Sequence, residues 1–199
     1  MRDFAMRKFK TLAAFAPALL LAGCISFGPE TPDSLLTLTP TATAPAGSGA
    51  SSNAGQSIVL SEFEAPAALD VTRVPVQIDD TSIAYLQDAT WVEKPARLFR
   101  RLIGETLRTR TNRIIVDGDD PGALAETRLN GTVRQFGYDA RNSSVVVVFD
   151  GVLPGAGSSV RTRRFEAVIS GVAPEAAAVG PALNQAANQV ALEVAEWIG

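Results

Sequence analysis

Hydrophobic residues change their spacing several times along this chain, and each spacing predicts a different element. Residues 12–21 form one short, continuous apolar run. From residue 58 onward, short segments rich in β-branched and aromatic residues are separated by polar or glycine-rich links, which is typical of strands. Two later segments repeat apolar residues every three or four positions, which is the period of an amphipathic helix.

The strand segments are ordered along the second half of the chain. They are residues 58–63, 71–78, 82–86 with 90–92 close behind, 113–116, 127–138, 144–152 and 160–172. In the last of these, Phe165, Ala167 and Ile169 alternate with polar residues, so one side of that strand is expected to be buried. Because the last three strands follow each other through short links, they predict an antiparallel meander.

Each helical segment has one apolar face. The first begins at Pro95, a residue suited to the first turn, and its apolar residues are Ala96, Phe99, Leu102, Ile103 and Leu107. The second begins at about Pro181 and ends at Ile198, with Asn184 and Asn188 on its polar face. Together these elements predict an α+β fold, in which a single domain has a mainly antiparallel sheet with two amphipathic helices packed on one face.

The N-terminal segment has the features of a bacterial lipoprotein signal. Four basic residues within the first ten positions precede the apolar run, which ends in the lipobox-like sequence Leu21-Ala22-Gly23-Cys24. A membrane-spanning helix needs about 20 apolar residues, so this shorter run predicts a cleaved signal of residues 1–23 and lipid attachment, including palmitate, at Cys24. The alternative is an ordinary signal followed by a free thiol, which is unusual in an oxidising compartment.

Residues 24–57 are expected to be a lipidated N-terminus and tether, followed by the folded domain at 58–199. Of residues 25–57, 24 of 33 are Ala, Gly, Pro, Ser or Thr, too few large apolar groups to order the whole segment. The exception is residues 34–39, which could add an edge strand. A fully flexible tether would span roughly 30 to 35 Å, whereas about ten free residues before that strand would span roughly 17 Å.

The amino-acid composition limits the partners and the kinds of catalytic or metal site that this chain can have. The chain has 18 basic and 21 acidic residues and no histidine, and removal of the signal leaves 14 basic against 20 acidic residues. This net charge of −6 argues against nucleic acid as a partner. Without histidine or a free cysteine, imidazole bases, Ser-His-Asp triads and the usual zinc sites are excluded, so we expect neither enzyme activity nor a cofactor or metal. Carboxylate-only catalysis stays open.

Two turn-rich segments have no convincing ligand pattern. Asp117, Asp119 and Asp120 share one turn, but their spacing is not that of a calcium loop. Residues 151–157 are rich in glycine but lack the lysine of a phosphate-binding loop, so a hairpin link is expected there.

Three residues are candidate contacts with a partner. Arg161 and Arg163, at the start of the last strand, could contact anionic lipid headgroups or a protein, or could only discourage aggregation at the sheet edge. Leu192 interrupts the polar face of the last helix, where it is either an isolated exposed leucine or part of a contact surface.

Several of these features together resemble the ABC-type transport auxiliary lipoprotein family. The resemblance rests on a strand (82–86) that ends in a tyrosine and a leucine, Trp91 six residues after the tyrosine, and a proline-started helix with regularly spaced Leu98, Leu102 and Leu107. The segments 35–38 and 71–76 and the terminal helix also fit. Within this pattern, Tyr85 and Trp91 are expected to be core anchors that seat the first helix on the sheet and keep a polar tip available.

The resemblance implies a function by association. Family members are lipoproteins facing the periplasm that work with a permease, a cytoplasmic ATPase and a membrane-anchored protein of the mammalian-cell-entry (MCE) class to move lipids or other hydrophobic compounds between the two membranes. We therefore expect an outer-membrane-tethered, non-enzymatic accessory subunit, and Ile25 in place of an aspartate favours the outer membrane. The alternatives are a structural or assembly lipoprotein of the envelope and, more distantly, a carboxylate-using hydrolase. Formation of a homo-oligomer through sheet edges is a further expectation.

Overall fold

The helices and most strands form where the hydrophobic periodicity predicts them. The computed structural model describes residues 34–47, 57–111, 113–117, 127–155 and 159–199. In chain order the elements are β1 (Ser57–Leu60), β2 (Arg73–Gln77), β3 (Ile83–Thr90), α1 (Pro95–Arg110), β4 (Ile114–Asp117), β5 (Thr127–Asp139), β6 (Ser144–Pro154), β7 (Val160–Ser170) and α2 (Ala176–Ile198). The predicted α+β class is confirmed. Cys24 and the acidic turn at Asp119 and Asp120 lie outside the described residues.

The sheet is organised around β5. The N-terminal part of β5 pairs in parallel with β1, and its C-terminal end pairs in parallel with β2. Its other edge begins the predicted antiparallel meander, in which β6 pairs with β5 and β7 with β6. β4 lies parallel beside β1, and β3 lies antiparallel beside β2.

The sheet is therefore mixed rather than mainly antiparallel. Three of the six strand pairings within the described residues are parallel. Parallel neighbours need a long crossover, and the segment from β1 to β4, which contains α1, supplies one. Sequence periodicity reports whether a strand is buried on one side but does not report the direction of its neighbour.

A bulge joins two segments that were predicted separately. Residues 82–86 and 90–92 contribute to the single strand β3, whose pairing with β2 shifts register between Arg73 and Pro75. Asp88 in this stretch has a φ of 54°, a left-handed conformation that Asp tolerates better than most residues. The strand continues through the bulge instead of ending there.

α2 begins five residues earlier than predicted. Proline favours the first turn of a helix, which is why the pattern suggested a start at Pro181. In the structure the helix starts at Ala176, and Pro181 lies inside it. The additional turn buries Val179 and Gly180, and this packing offsets the hydrogen bond that proline cannot donate.

The core contains a continuous row of aromatic rings between the sheet and the two helices. We call these residues the aromatic row; in order, they are Trp91, Phe136, Phe99, Phe149, Phe165 and Trp197. Successive ring centres are 5.7, 5.8, 5.5, 6.4 and 5.5 Å apart. These distances are typical of favourable aromatic pairs. α1 contributes one ring and α2 another, so the row fixes both helices on the same face of the sheet.

The two predicted aromatic anchors differ in position. Trp91 is 1% exposed, as predicted for a core anchor, but its indole N–H is buried without a hydrogen-bond partner among the described residues. Tyr85 was wrongly predicted to seat α1. It lies directly opposite Pro75, whose neighbours Val74 and Val76 are the buried residues of β2, so alternation turns Tyr85 to the other face. The guanidinium carbon of Arg73 lies 3.7 Å from its ring centre.

Residues 34–47, which we call the strap, are fastened across both helices. Leu36 forms one parallel bridge with Trp91, in which its N–H donates to Thr90 O (2.8 Å) and its carbonyl accepts from Val92 N–H (2.9 Å). The predicted edge strand at 34–39 is thus reduced to a single bridge. Farther along, the N–H of Ala44 donates to Oε1 of Glu105 on α1 at 2.7 Å.

Asparagines on α2 hold the middle of the strap. The N–H of Thr39 donates to Asn184 Oδ1 at 2.8 Å. Asn188 accepts from Thr41 N–H at 3.0 Å and donates to Thr39 O at 2.9 Å. Although Asn188 was predicted on the polar, solvated face, it is 4% exposed because the strap covers it.

A glycine of α2 determines where the strap enters the domain. A Cβ atom at Gly180 would lie 2.8 Å from Cδ2 of Leu36, so only glycine allows the leucine to pack this closely. Leu36 therefore lies near the N-terminal end of α2, and the strap then passes Asn184 and Asn188 toward the C-terminal end. The first described residues of the chain therefore lie near the N-terminal end of α2.

We predict that Asn188→Ala loosens the strap. The substitution removes two hydrogen bonds to strap peptide groups, and we expect the free energy of unfolding to fall by about 1 to 3 kcal/mol. Hydrogen exchange followed by mass spectrometry should show faster exchange of the Thr41 amide. The exposed neighbour Gln189 provides the control, because Gln189→Ala leaves the strap contacts intact. Equal exchange of the strap amides in Asn188→Ala and the parent chain would contradict this role.

Candidate functional site

The start of β7 and the last turn of α2 form the surface that contains two of the predicted contact residues. We call Arg161 and Arg163 the arginine pair. The guanidinium carbon of Arg161 lies 5.6 Å from the ring centre of Trp197, and that of Arg163 lies 5.0 Å from the ring centre of Phe165. Both distances are within the range of a cation–π contact. The pair therefore covers one end of the aromatic row.

Strand alternation explains why the arginine pair is on this face. Arg161 and Arg163 share the parity of Phe165 and Ala167, which are buried, so all four side chains project toward the helical side. Phe165 and Ala167 are covered, whereas Arg161 and Arg163 remain exposed.

Arg161 also brings a positive charge beside the last turn of α2. The last turn of a helix has a partial negative charge that favours a nearby cation. The last turn of α2 has no basic residue of its own, and Arg161 lies beside Trp197 within that turn. The positive charge is thus supplied by a neighbouring strand.

Leu192 lies on a different part of α2. It is half-buried and lines a shallow depression together with Arg110, Thr111, Ala195, Glu196 and Gly199. Leu192 precedes Trp197 by five residues, which places the two about 140° apart around the helix axis. The structure therefore does not bring Leu192 and the arginine pair together on one surface.

The opposite face of the sheet has an ion-pair cluster that sequence reasoning missed. Asp150 on β6 accepts from Arg164 Nε at 2.7 Å and from its terminal nitrogen at 2.9 Å, and from Arg134 Nε at 2.9 Å. The hydrogen bonds from Arg164, and then those from Arg134, hold the pKa of Asp150 at about 2. A single acid inside the apolar run of β6 was the signal for this cluster, but the register that places Arg164 beside it could not be read from the sequence.

A shallow apolar groove lies on the same helix-free face. Its walls include Pro66, Leu69, Ile83 and Val146. Along the groove β2 approaches β5 closely at Gly137, where a Cβ atom would lie 2.3 Å from Pro75 O. Its lining also includes the polar residues Gln77 on β2 and Arg134, Gln135 and Asp139 on β5.

The described residues contain no candidate metal-binding group and no membrane-spanning helix. Within the described ranges, no group of three or more Asp, Glu, His or Cys side chains could hold a metal ion. In the same part of the chain, no helix has the length and apolar character needed to cross a membrane. At the N-terminal end of β7, guanidinium groups lie over aromatic rings. Such groups are suited to contact with a protein surface.

Comparison with known proteins relates the chain to one family. Residues 36–195 match the sequence profile of the family described as ABC-type transport auxiliary lipoprotein component. No curated protein sequence matches the chain significantly.

Two solved structures resemble the fold at low sequence identity. A protein from Xanthomonas campestris, from a domain family of unknown function, has a TM-score of 0.63 and 18% identity, and the alignment covers 84% of this chain and 92% of that one. An uncharacterized protein has a TM-score of 0.63 and 15% identity, with coverage of 83% and 100%. At these identities the likeness concerns the fold alone.

We predict that Asp150→Asn destabilises the domain at neutral pH and much less at pH 2. The folded-state pKa of about 2 is below the usual value of 3.8, so the ion pairs stabilise the fold above about pH 4 and this contribution is lost as the pH falls through the folded-state pKa. At pH 7 the melting temperature should fall by a few degrees. Glu64→Gln, which changes an exposed carboxylate, is the control. A difference in melting temperature that persists unchanged at pH 2 would contradict the assignment.

Proposed function

Because this chain belongs to the family of ABC-type transport auxiliary lipoprotein components, we propose that it is the non-enzymatic accessory lipoprotein of an MCE-type ABC system. Such a system moves lipids or other hydrophobic compounds between the inner and outer membranes. The direct partner is a periplasmic protein with an MCE domain, and through it a permease and an ATPase. The observation that carries the proposal is the family match over residues 36–195, which includes most of the strap, the whole sheet, all of α1 and α2 up to residue 195.

In this proposal Cys24 carries the lipid and the outer membrane is its location. The strap begins at residue 34, so ten residues separate the start of the mature chain from the fastened segment. A flexible chain of this length would span roughly 17 Å. The membrane surface and the N-terminal end of α2 would therefore stay close together.

In this proposal the candidate contact surface lies away from the anchor, and the length of α2 supports this arrangement. Leu36 packs at Gly180, whereas the arginine pair contacts α2 at Trp197. Seventeen residues of helix separate these positions, which corresponds to about 26 Å. An anchor at the first end would direct the second end toward the periplasm, where an MCE-domain protein from the inner membrane could reach it.

The arginine pair has the chemistry of a partner contact. Exposed arginines over aromatic rings combine apolar area with several hydrogen-bond donors, and arginine and tryptophan are enriched among the residues that dominate binding energy. They fit a partner surface with apolar groups and acidic residues at its rim. Confinement by the lipid raises the effective concentration for a partner at the same membrane, so a modest interface would suffice.

We predict that photocrosslinkers at Arg161 and Arg163 capture the MCE-domain protein in cells. The full chain with its native signal is used, and captured proteins are identified by mass spectrometry. A probe at Leu192 tests the separate depression on α2. Gln87 supplies the control, because it is exposed on β3, a strand at the opposite end of the sheet from β7.

The same experiment in Cys24→Ser tests the anchor. The parent chain should incorporate labelled palmitate and fractionate with the outer membrane, whereas the variant should do neither and should lose most of the crosslinking. Palmitate incorporation by Cys24→Ser would contradict the anchor. Capture of an MCE-domain protein from tether positions, but from no position in the domain, would contradict the contact surface. Capture of envelope assembly proteins alone would favour a structural lipoprotein.

A further inference from the structure

β7 presents a long edge that no other strand occupies. Within the described part of the chain it pairs with β6 alone, over eleven residues from Val160 to Ser170. Val160 and Val168 are 62% and 46% exposed. A free edge of this length is a template for a further strand unless the protein protects it.

The hydrogen-bonding direction along β7 follows from the hairpin that connects it to β6. Gly155 N–H donates to Ser159 O at 2.8 Å, and this pair continues the register in which Leu153 faces Arg161. In a regular antiparallel ladder, the directly bonded pairs recur every second residue. The odd-numbered residues of β7 therefore bond to β6, and the even-numbered residues direct their N–H and C=O groups to the free edge.

The positive charges of β7 are not placed to protect this edge. Arg161 and Arg163 lie over the rings of Trp197 and Phe165, and Arg164 is bound to Asp150. All three guanidinium groups are thus engaged within their own domain. The side chains that accompany the free even-numbered backbone groups include a negative charge, Glu166, and the exposed Val168.

One antiparallel register lets a second copy of the same strand pair with this edge over its full length. When two β7 strands pair antiparallel about a two-fold axis at Phe165, all eleven residues of each strand overlap and each Arg164 lies opposite Glu166 of the other copy. The backbone N–H and C=O groups of the even-numbered residues in the two strands then face each other, so they can form the hydrogen bonds of an antiparallel ladder. Shifting the register so that residue 164 or 166 meets its own copy places like charges directly opposite, which is destabilising.

The geometry points to a second copy of this chain as the occupant of the β7 edge, joined in the antiparallel register that pairs Arg164 with Glu166. The two meanders would form one continuous sheet of six strands around a closed, isologous interface. On the helix-free face, charges would alternate from Asp150 to Arg164 and then to Glu166 of the other copy. This association concerns copies of the chain itself and does not depend on the transport partner.

Paired cysteines test the register directly. In this register Thr162 lies opposite Val168 of the second copy, with Cα atoms about 5.5 Å apart, which is within reach of a disulfide. Both positions are exposed, so their substitution should leave the fold intact. The double variant Thr162→Cys/Val168→Cys, as the full chain in membranes treated with a mild oxidant, should run as a dimer on a non-reducing gel.

The single variants and a charge reversal provide the controls. Thr162→Cys or Val168→Cys alone should remain monomeric, because the like positions would lie six residues apart, about 20 Å. The parent chain, whose one cysteine is Cys24, measures how much dimer arises from crosslinking through that residue. Adding Glu166→Arg to the double variant should reduce the dimer at least tenfold without changing the melting temperature by more than a few degrees. A folded double variant that does not crosslink, single variants that do, or crosslinking unaffected by Glu166→Arg would each overturn the proposal.

Discussion

Burial of the aromatic row between the sheet and the helices is the constraint on which the rest of this structure depends. Phe99 of α1 contacts rings of both β5 and β6, and Trp197 of α2 contacts Phe165 of β7. The rings thereby set the distance and direction of both helices over the meander. Because protein cores tolerate neither voids nor overpacking well, this arrangement leaves little freedom in the positions of the two ends of the row.

The strap contacts one end of the aromatic row, and the arginine pair contacts the other end. At Trp91, the strap joins the sheet through its bridge to Leu36 and then crosses α2 and α1. At Trp197, the arginine pair covers the row. The core thus separates the point where the preceding polypeptide enters from the surface proposed for partner binding. The proposed function, in which an anchored lipoprotein binds a partner across the periplasm, uses this separation.

Sequence periodicity predicted the helices well because their apolar faces are regular. Phe99, Leu102 and Leu107 of α1 are all buried, as the pattern required. The pattern failed where long-range packing decided the outcome. The helical pattern predicts Asn188 as a surface residue, because the neighbouring sequence contains no sign that the strap covers it. Pro181 reads as a helix start because the early turn of α2 is stabilised by contacts that include Leu36.

The candidate surface could be predicted only in part from the sequence, again because long-range packing decides where its side chains lie. The arginine pair was visible as a basic cluster on a predicted strand, but its position over Trp197 depends on how α2 crosses β7. Leu192 was visible as an exception in a polar face, yet it lies apart from the arginines around the helix. Asp150 and Arg164 are fourteen residues apart along the chain, and only the exact hairpin register makes them neighbours.

The central claim is that the anchored chain is held at the Gly180 end of α2 and is free to bind from the Trp197 end. Fluorescence quenching in vesicles tests it most directly, with the lipidated chain bearing a genetically encoded fluorophore at Leu35 or at Arg163 and a quencher attached to lipid headgroups. Both positions are exposed, and they flank the two ends of the aromatic row. We expect strong quenching at Leu35 and little at Arg163. Equal quenching at the two positions, or stronger quenching at Arg163, would contradict the account.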